Sequence, residues 1–406
     1  MNEYSPLPPI LGQRKGQIRP GSETGLHVLT LTPFFPTQED EAAGCFVSEP
    51  LDALTHVGIK NTVFAVQSIY YRRVRARPEN ARAQWFRYFC LPGGIGLPTA
   101  GAFVFSSIIS SARELHQSDR IDLIHAHSAL PCGHAAMLLS AELGVPYVVS
   151  VHGLDAFSTR QVSGRAGEWC RRISQRVYRS SRRVLCISEH VREQVLEGAG
   201  RSCRTTVVYN SVNADMFSPG DKPVSNEPRI LSVGDLIPTK GHDVLLHAVA
   251  SLFSEFPSLK LEIIGEGPEL PRLVSLADQL LIAERVNFSK RRSRRGIAAA
   301  MKNCTIFALP SGYEALGCVY LEAMSVGKPT IGCRAQGIAE IIQHGTNGFL
   351  VGPDNAKELG LAIAMLLRDD ALRRRISVAA RDTILDRFTL AQQARNLARV
   401  YREAVA

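Results

Sequence analysis

Two glutamates, Glu314 and Glu322, are separated by seven residues and lie just after an apolar run at 305–309. The run predicts a buried parallel strand, and the Pro-Ser-Gly sequence at 310–312 ends it. A short helix is predicted over 316–325, with Glu314 on the loop before it and Glu322 about two turns into it. In open α/β sheets ligands bind at the carboxyl ends of strands, so the acidic pair lies where a ligand would bind.

The predicted start of this helix has the features of a phosphate-binding site. Backbone N–H groups of Ala315, Leu316, Gly317 and Cys318 would point into the crevice at the strand end. Gly317 has no side chain, so a phosphate could come close to the backbone. The alternative is that both carboxylates are simply exposed to solvent, since an acidic pair at this spacing is weak on its own.

Composition bounds the class of protein. The chain has 406 residues, of which 45% are hydrophobic, and this suggests two α/β domains of ordinary size. Its nine cysteines are odd in number and form no C-x-x-C pair, so they indicate reduced thiols in a cytoplasmic protein and not a disulfide frame or a zinc site. The polar start, 1–24, lacks the apolar segment of a signal peptide and is predicted to be a disordered tail. No apolar run is long enough to span a bilayer.

The net charge of +9 is concentrated in three clusters. Charge alone allows nucleic-acid binding, but no nucleic-acid module is visible, so no nucleic-acid partner is expected. The first cluster is interleaved with aromatic residues and would suit an anionic membrane surface on the inner face of the plasma membrane. A solvated basic face is an equally weighted alternative. The clusters are Arg72, Arg73, Arg75, Arg77, Arg82 and Arg87; Arg171, Arg172, Arg176, Arg179, Arg182 and Arg183; and Lys290, Arg291, Arg292, Arg294 and Arg295.

Strands alternate with helices in both halves of the chain, which predicts two parallel, doubly wound sheets of the α/β class. A polar, turn-rich segment at 217–223 separates the halves. The stretch 379–405 is predicted to be helical throughout. The predicted strands are 26–31, 62–66, 122–125, 147–151 and 184–187 in the first half, and 230–233, 259–264, 306–309 and 330–332 in the second.

The sequence from Pro310 to Met324, followed by Gly327-Lys328-Pro329, resembles the E-x7-E motif of the retaining family-4 glycosyltransferases. That resemblance implies the GT-B fold: two Rossmann-like domains facing a cleft, with the last helix crossing back to the first domain. It implies that Glu314 contacts the donor sugar or the reacting face, and that Glu322 accepts hydrogen bonds from the ribose. The domain boundaries expected are a tail at 1–24, an acceptor-side domain at 25–216, a linker at 217–228, a nucleotide-sugar-binding domain at 229–386 and a crossover helix at 387–406.

A second matching segment opens the second half. Gly234 to Gly241 is similar to the family's G-R-x-x-x-x-K-G, whose Arg and Lys neutralise the donor diphosphate; this fold usually carries no metal. Lys240 matches, but Asp235 stands at the Arg position, a reversal of charge, so either another cation replaces it, or Asp235 turns away, or donor binding is weak. Gly265 follows the next strand, in a turn that lines the nucleotide pocket in the family. Lys240 taken alone could be an ordinary surface lysine.

The first half contributes two further candidates. Gly44 matches part of the family's Gly-Gly segment, whose backbone reaches the donor or acceptor; the alternative is a helix-start glycine. His152 and Asp155 match the family's H-G-x-D, in which the histidine contacts the donor sugar and the aspartate could orient it. His125, His127 and His134 lie nearby, and packed or hydrogen-bonded histidines are favoured over a metal site.

The sequence thus predicts a retaining transferase of hexose type. A sugar would move from a nucleotide diphosphate sugar to an acceptor alcohol, lipid-linked or saccharide, with no cofactor or metal. The string around Glu314 resembles enzymes of bacterial exopolysaccharide and teichuronic-acid assembly. Two alternatives stay open: a GT-B enzyme of another reaction, such as an epimerase or a phosphorylase, and a non-catalytic protein that binds sugar nucleotides or lipids, which the charge reversal at Asp235 keeps in consideration.

Overall fold

The structure is a computed structural model that describes residues 25–37, 40–70, 83–91, 96–157, 162–220 and 227–406. The predicted tail at 1–24 lies outside these ranges. Most of the first basic cluster, from 71 to 82, lies outside them too, as does part of the predicted linker at 221–226.

The first half of the chain forms a seven-stranded sheet in the order β3-β2-β1-β4-β5-β6-β7, and every neighbouring pair is parallel. All five residues of β4 and all five of β5 are buried, because helices cover both faces of a doubly wound sheet. The strands are β1 (Leu26–Thr32), β2 (Ile59–Ser68), β3 (Ala83–Tyr88), β4 (Leu123–His127), β5 (Tyr147–Val151), β6 (Arg183–Cys186) and β7 (Thr205–Val207).

The second half forms a six-stranded parallel sheet in the order β10-β9-β8-β11-β12-β13. Here β8 and β11 are neighbours, so the loops that follow them meet at one edge of the sheet. The strands are β8 (Arg229–Val233), β9 (Lys260–Ile264), β10 (Val286–Ser289), β11 (Ile306–Ala308), β12 (Thr330–Cys333) and β13 (Phe349–Val351).

Twelve α-helices connect the strands of the described residues. All nine cysteines are free. Among these helices, none is both long enough and apolar enough to cross a bilayer. The helices are α1 (Cys45–Thr55), α2 (Leu97–Ser118), α3 (His134–Leu143), α4 (Gly164–Ser180), α5 (Glu189–Ala199), α6 (His242–Ala250), α7 (Leu270–Gln279), α8 (Arg294–Asn303), α9 (Cys318–Ser325), α10 (Ala356–Arg368), α11 (Asp370–Arg387) and α12 (Leu390–Val405).

The prediction of one continuous helix at the carboxyl end is wrong. The helix breaks between α11 and α12, because Thr389 caps α12: its hydroxyl accepts from the N–H of Gln392, and the Gln392 side chain accepts from the Thr389 N–H. The predicted crossover is confirmed. α12 packs on α1 of the first domain, and the Tyr401 hydroxyl bonds His125 Nδ1 at 2.8 Å.

The helix that carries Glu322 is shorter than predicted. It begins at Cys318 and not at Leu316, because Gly317 has a φ of 83°, which lies outside helical geometry. Glu322 therefore lies about one turn into α9 and not two.

Candidate active site in the interdomain cleft

Lys240 and Glu314 form an ion pair at the carboxyl edge of the second sheet. Lys240 follows β8, Glu314 follows β11, and Lys240 Nζ lies 2.5 Å from Glu314 Oε1. The Ser311 hydroxyl donates to the same oxygen at 3.1 Å, and the Gln336 side chain accepts from the Glu314 N–H at 2.9 Å. The carboxylate is thereby held in one orientation beside a cation. The sequence predicted a role for each residue but not their direct contact.

The two loops can approach because Gly241 lies between them. A Cβ on Gly241 would lie 2.3 Å from the Pro310 carbonyl oxygen, and its φ of 67° also favours glycine. Replacement of this glycine would push apart the loops that carry Lys240 and Glu314.

The start of α9 lies next to the Glu314 carboxyl group. A Cβ on Gly317 would lie 3.6 Å from Glu314 Cδ and 2.5 Å from the Tyr320 ring, so only glycine fits there. Leu316 is buried as a whole residue, backbone included, whereas Gly317 and Cys318 are partly exposed, so the predicted contact of Leu316 with a ligand is not available in this structure. The Cys318 thiol accepts a hydrogen bond from Asn210 at 3.5 Å, and burial raises its pKa to about 12, so it stays a neutral thiol.

Glu322 is buried and paired with Arg294, a residue that sequence reasoning did not select. Burial raises the pKa of Glu322, while the neighbouring Arg294 guanidinium acts in the opposite direction. Arg294 also bonds Glu49 of the first domain, with Nη2 at 2.7 Å from Oε1. The only sequence signal for this contact was the basic run from Lys290 to Arg295, which ends at the start of α8.

Arg291 from the same basic run binds Asp235, the aspartate at the family's Arg position. Its guanidinium lies 2.6 Å from Asp235 Oδ1 and 2.8 Å from Asp40 Oδ2 of the first domain. A second cation thus lies beside the reversed charge.

Asp40, Asp235 and Arg291 border an open cleft of about 830 Å³ between the two halves. Gly234 and Gly265 line it, and a Cβ on Gly265 would lie only 1.9 Å from the Gly234 carbonyl oxygen, so the two turns pack backbone to backbone. The cleft is lined by 40–43, 233–235, 264–266, 291–293 and Ile297.

His152 follows β5 and packs between His127 and Phe46. Its Nε2 lies 3.0 Å from His127 Nδ1, and its ring centroid lies 4.7 Å from that of Phe46. Asp155 accepts a hydrogen bond from the His152 backbone N–H at 2.9 Å, so it holds the loop and not the ring. His152 Nδ1 is buried and has no hydrogen-bond partner among the described residues.

Gly44 opens the helix that carries Phe46. Its φ is 72°, and a Cβ would lie 2.3 Å from the Phe34 carbonyl carbon, so the close approach requires glycine. The loop after His152 also touches the Glu314 loop, since a Cβ on Gly153 would lie 2.5 Å from that of Ala315. The His152 loop of the first domain and the Glu314 loop of the second are therefore in contact, but neither His152 nor Glu314 lines the open cleft.

His125 and His127 are hydrogen-bonded, as predicted, whereas His134 Nδ1 is buried and has no hydrogen-bond partner among the described residues. His125 bonds Tyr401 through Nδ1 and Ser150 through Nε2, the latter at 2.7 Å. No group of three or more His, Cys, Asp or Glu residues in the described parts of the chain is arranged to hold a metal ion.

Comparison with known proteins decides the family. The family model described as Glycosyltransferase Family 4 matches residues 51–216, and the model described as Glycosyl transferases group 1 matches 217–383. The D-inositol 3-phosphate glycosyltransferase of Corynebacterium jeikeium is 30% identical over 299 residues, which cover 68% of this chain and 71% of that protein. The chain belongs to glycosyltransferase family 4.

Solved structures confirm the GT-B fold of this family-4 glycosyltransferase. Sucrose-phosphate synthase from Thermosynechococcus elongatus superposes with a TM-score of 0.77 at 20% identity, covering 93% of this chain and 98% of that one. The Anabaena protein HepE in complex with UDP-glucose superposes with a TM-score of 0.73 at 20% identity, covering 93% and 99%. The sequence prediction of family and fold is therefore correct.

Three buried histidines predict how the stability of this glycosyltransferase depends on pH. Burial lowers the pKa of His125 and His152 to about 3, and that of His127 well below its usual range. The unfolded chain takes up these protons near pH 6.5, so the free energy of unfolding should fall as the pH falls, by about 1 kcal/mol per histidine between pH 7 and 5.5. Burial raises the pKa of Asp155 to about 6, so the folded protein takes up a proton at Asp155 as the pH falls from 7 to 5.5, while the unfolded chain does not. This uptake offsets part of the loss of stability.

Urea unfolding at pH 7.0 and 5.5 measures the effect. We expect a lower free energy of unfolding at pH 5.5, with an unchanged slope on urea concentration. Equal values at both pH values would contradict the burial of neutral imidazoles behind the cleft.

Proposed function

We propose that this protein is a retaining glycosyltransferase of hexose type. It moves a sugar from a nucleoside diphosphate sugar to an acceptor alcohol in the assembly of a bacterial polysaccharide or glycolipid. One observation carries the proposal: the Lys240–Glu314 ion pair lies at the carboxyl edge of the second sheet, where the two domains face each other. A cation there can stabilise a departing diphosphate, and the carboxylate beside it can orient a sugar.

The other groups of the cleft take complementary roles in this proposal. Glu322 accepts hydrogen bonds from the ribose, and the partly exposed backbone of Gly317 and Cys318 faces the diphosphate. His152 is neutral at physiological pH, because its pKa is about 3, so it offers the sugar a hydrogen bond and not a proton. Gly44, Gly234 and Gly265 let the backbone come close to the donor.

In this proposal, retention of configuration comes from attack on the face that the diphosphate leaves. The bond between the anomeric carbon and the diphosphate oxygen breaks as the acceptor oxygen bonds to that carbon. The acceptor proton passes to the departing diphosphate oxygen, so no separate base is required. Lys240, with Arg291 nearby, supplies positive charge at the leaving group, and we expect no metal requirement.

HepE was solved with UDP-glucose, so UDP-sugars are the first donors to test. A thermal-shift screen of UDP-, GDP- and ADP-sugars identifies the donor, since a ligand at about 100 times its dissociation constant stabilises by about 2.7 kcal/mol. Turnover of that donor would exclude a purely binding function. A gain in acceptor mass supports transfer, whereas a donor converted to its isomer would support an epimerase.

An acceptor on a lipid would require contact with a membrane, and an exposed apolar patch supports this part of the proposal. Phe89 stacks edge-on against Phe103 with ring centroids 5.3 Å apart, and Tyr70 lies 6.4 Å from Phe89. The arginine-rich segment 71–82 directly follows Tyr70 in the chain. We therefore propose an anionic membrane surface as a partner. The exposed members of the patch are Ile69, Tyr70, Phe89, Leu91 and Phe103.

Co-sedimentation with liposomes tests this partner. Binding should rise with the fraction of anionic lipid and fall with added salt, because screening weakens the attraction. Phe89→Glu should reduce sedimentation. The matched control is Leu281→Glu at another strongly exposed apolar residue. Equal sedimentation with neutral and anionic liposomes would count against the membrane.

A further inference from the structure

Arg294 joins the two domains at the carboxylate assigned to the ribose. It is the first residue of α8, and only 11% of its side chain is exposed. Its Nη1 bonds Glu322 Oε1 of the second domain, while Nε and Nη2 lie 3.1 and 2.7 Å from Glu49 Oε1 of the first. The guanidinium also lies over the Phe217 ring, 4.8 Å from its centroid.

The backbone of the same residue is tied across the cleft as well. The Arg294 N–H donates to Glu41 Oε1, and Glu41 lies in the segment that lines the cleft just before Gly44. Two first-domain carboxylates and one from the second domain therefore meet at one arginine. Such a buried arrangement is sensitive to the loss of any member, because the remaining charges are left without a partner.

The contact geometry leaves Glu322 able to bind a ligand. Arg294 bonds only Oε1, and no hydrogen bond from the described residues reaches Oε2. A fixed charge on Oε1 would hold the carboxylate in one rotamer and favour its ionised form, both of which suit an acceptor of ribose hydroxyl bonds. Glu49 lies on α1, the helix that begins directly after Gly44. The Glu49–Arg294 ion pair therefore also fixes the first-domain segment assigned to the donor.

We propose that Glu49 and Arg294 form a positioning pair that couples ribose binding at Glu322 to closure of the two domains. Neither residue touches the donor in this scheme. Closure of the domains brings Glu49 against Arg294, and Arg294 orients the Glu322 carboxylate. Glu322 then accepts hydrogen bonds from the ribose hydroxyls. The inference rests on the proposed function, because it takes Glu322 as the ribose acceptor.

A double-mutant cycle on the full chain, with nucleotide affinity measured by calorimetry, tests the pair. The variants are Glu49→Gln, Arg294→Ala and their combination, with Arg295→Ala as an exposed control next in the chain. The probe is the nucleoside diphosphate that the donor screen selects, together with its 2′,3′-dideoxy form. Melting temperatures without nucleotide check that each variant folds.

We expect each single variant to weaken nucleotide binding about tenfold, and the double variant to bind no more weakly than Arg294→Ala, since the two residues act through one contact. Arg295→Ala should bind like the wild type. The dideoxy nucleotide should lose its sensitivity to Glu49→Gln, a result that a merely structural ion pair would not produce.

Three outcomes would overturn the coupling while leaving the proposed function intact, provided that the wild type binds the nucleotide. These are additive losses in the double variant, equal losses with the dideoxy nucleotide, and tighter binding by Arg294→Ala, which would mean that the arginine competes with the ribose for Glu322. A folded wild type that binds no nucleoside diphosphate would instead overturn the proposed function, and the coupling with it.

Discussion

Replacing Lys240 by alanine is expected to lower kcat/KM about a hundredfold, equal to about 3 kcal/mol of transition-state stabilisation. The resembled motif has an Arg where this chain has Asp235, so we expect Lys240 to carry more of the charge on the departing diphosphate. Its ammonium group is fixed by Glu314 at 2.5 Å and is only 20% exposed, so it is preorganised for this role.

Release of the nucleoside diphosphate measures the effect, with Lys357→Ala on the exposed face of α10 as a control. The double variant Lys240→Ala with Glu314→Gln separates two explanations. If Lys240 served only to neutralise Glu314, removing both charges would restore activity. An active Lys240→Ala enzyme with unchanged kcat/KM would show that another cation stabilises the diphosphate, with Lys290 and Arg291 the next candidates.

Replacing Glu322 by alanine is expected to weaken donor binding by about 2 kcal/mol, or about thirtyfold, because a charged acceptor for the ribose hydroxyls is lost. The Arg294 side chain would also lose one of its two carboxylate partners and keep only Glu49, so part of the effect comes through the Arg294–Glu49 ion pair. Calorimetry on the folded variant measures the loss, with Glu284→Ala at an exposed position as the control. Donor affinity within a factor of two of the wild type would refute the ribose assignment.

The family, the fold and the paired sheets could be read from the sequence because their signals are local. Glu314, Gly317 and Glu322 lie within nine residues, and strand patterns such as 147–151 record burial on both faces of a sheet. The start of α9 was placed too early because the sequence shows that Gly317 is flexible but not that its φ is positive. The break before α12 has a local sequence signal, Thr389 followed three residues later by Gln392.

The ion pairs of the cleft could not be read in this way. Arg294 and Glu49 are 245 residues apart, and Arg291 and Asp235 are 56 apart. The contacts of Arg294 with Glu49 and of Arg291 with Asp40 depend on how the two domains close on each other, and a basic run at 290–295 looks the same whether it faces solvent or carboxylates. The roles of the individual site residues and the domain boundaries remain predictions.

Titration of the wild-type protein with UDP, GDP and ADP tests the central claim most directly, since that claim is that the cleft holds a nucleoside diphosphate. We predict that one of the three binds at a single site per chain, with a dissociation constant below about 1 mM, the upper range for such substrates. The same nucleotide should bind more weakly to Glu322→Ala. Absence of binding by all three to the folded protein, or equal binding to Glu322→Ala, would contradict the account.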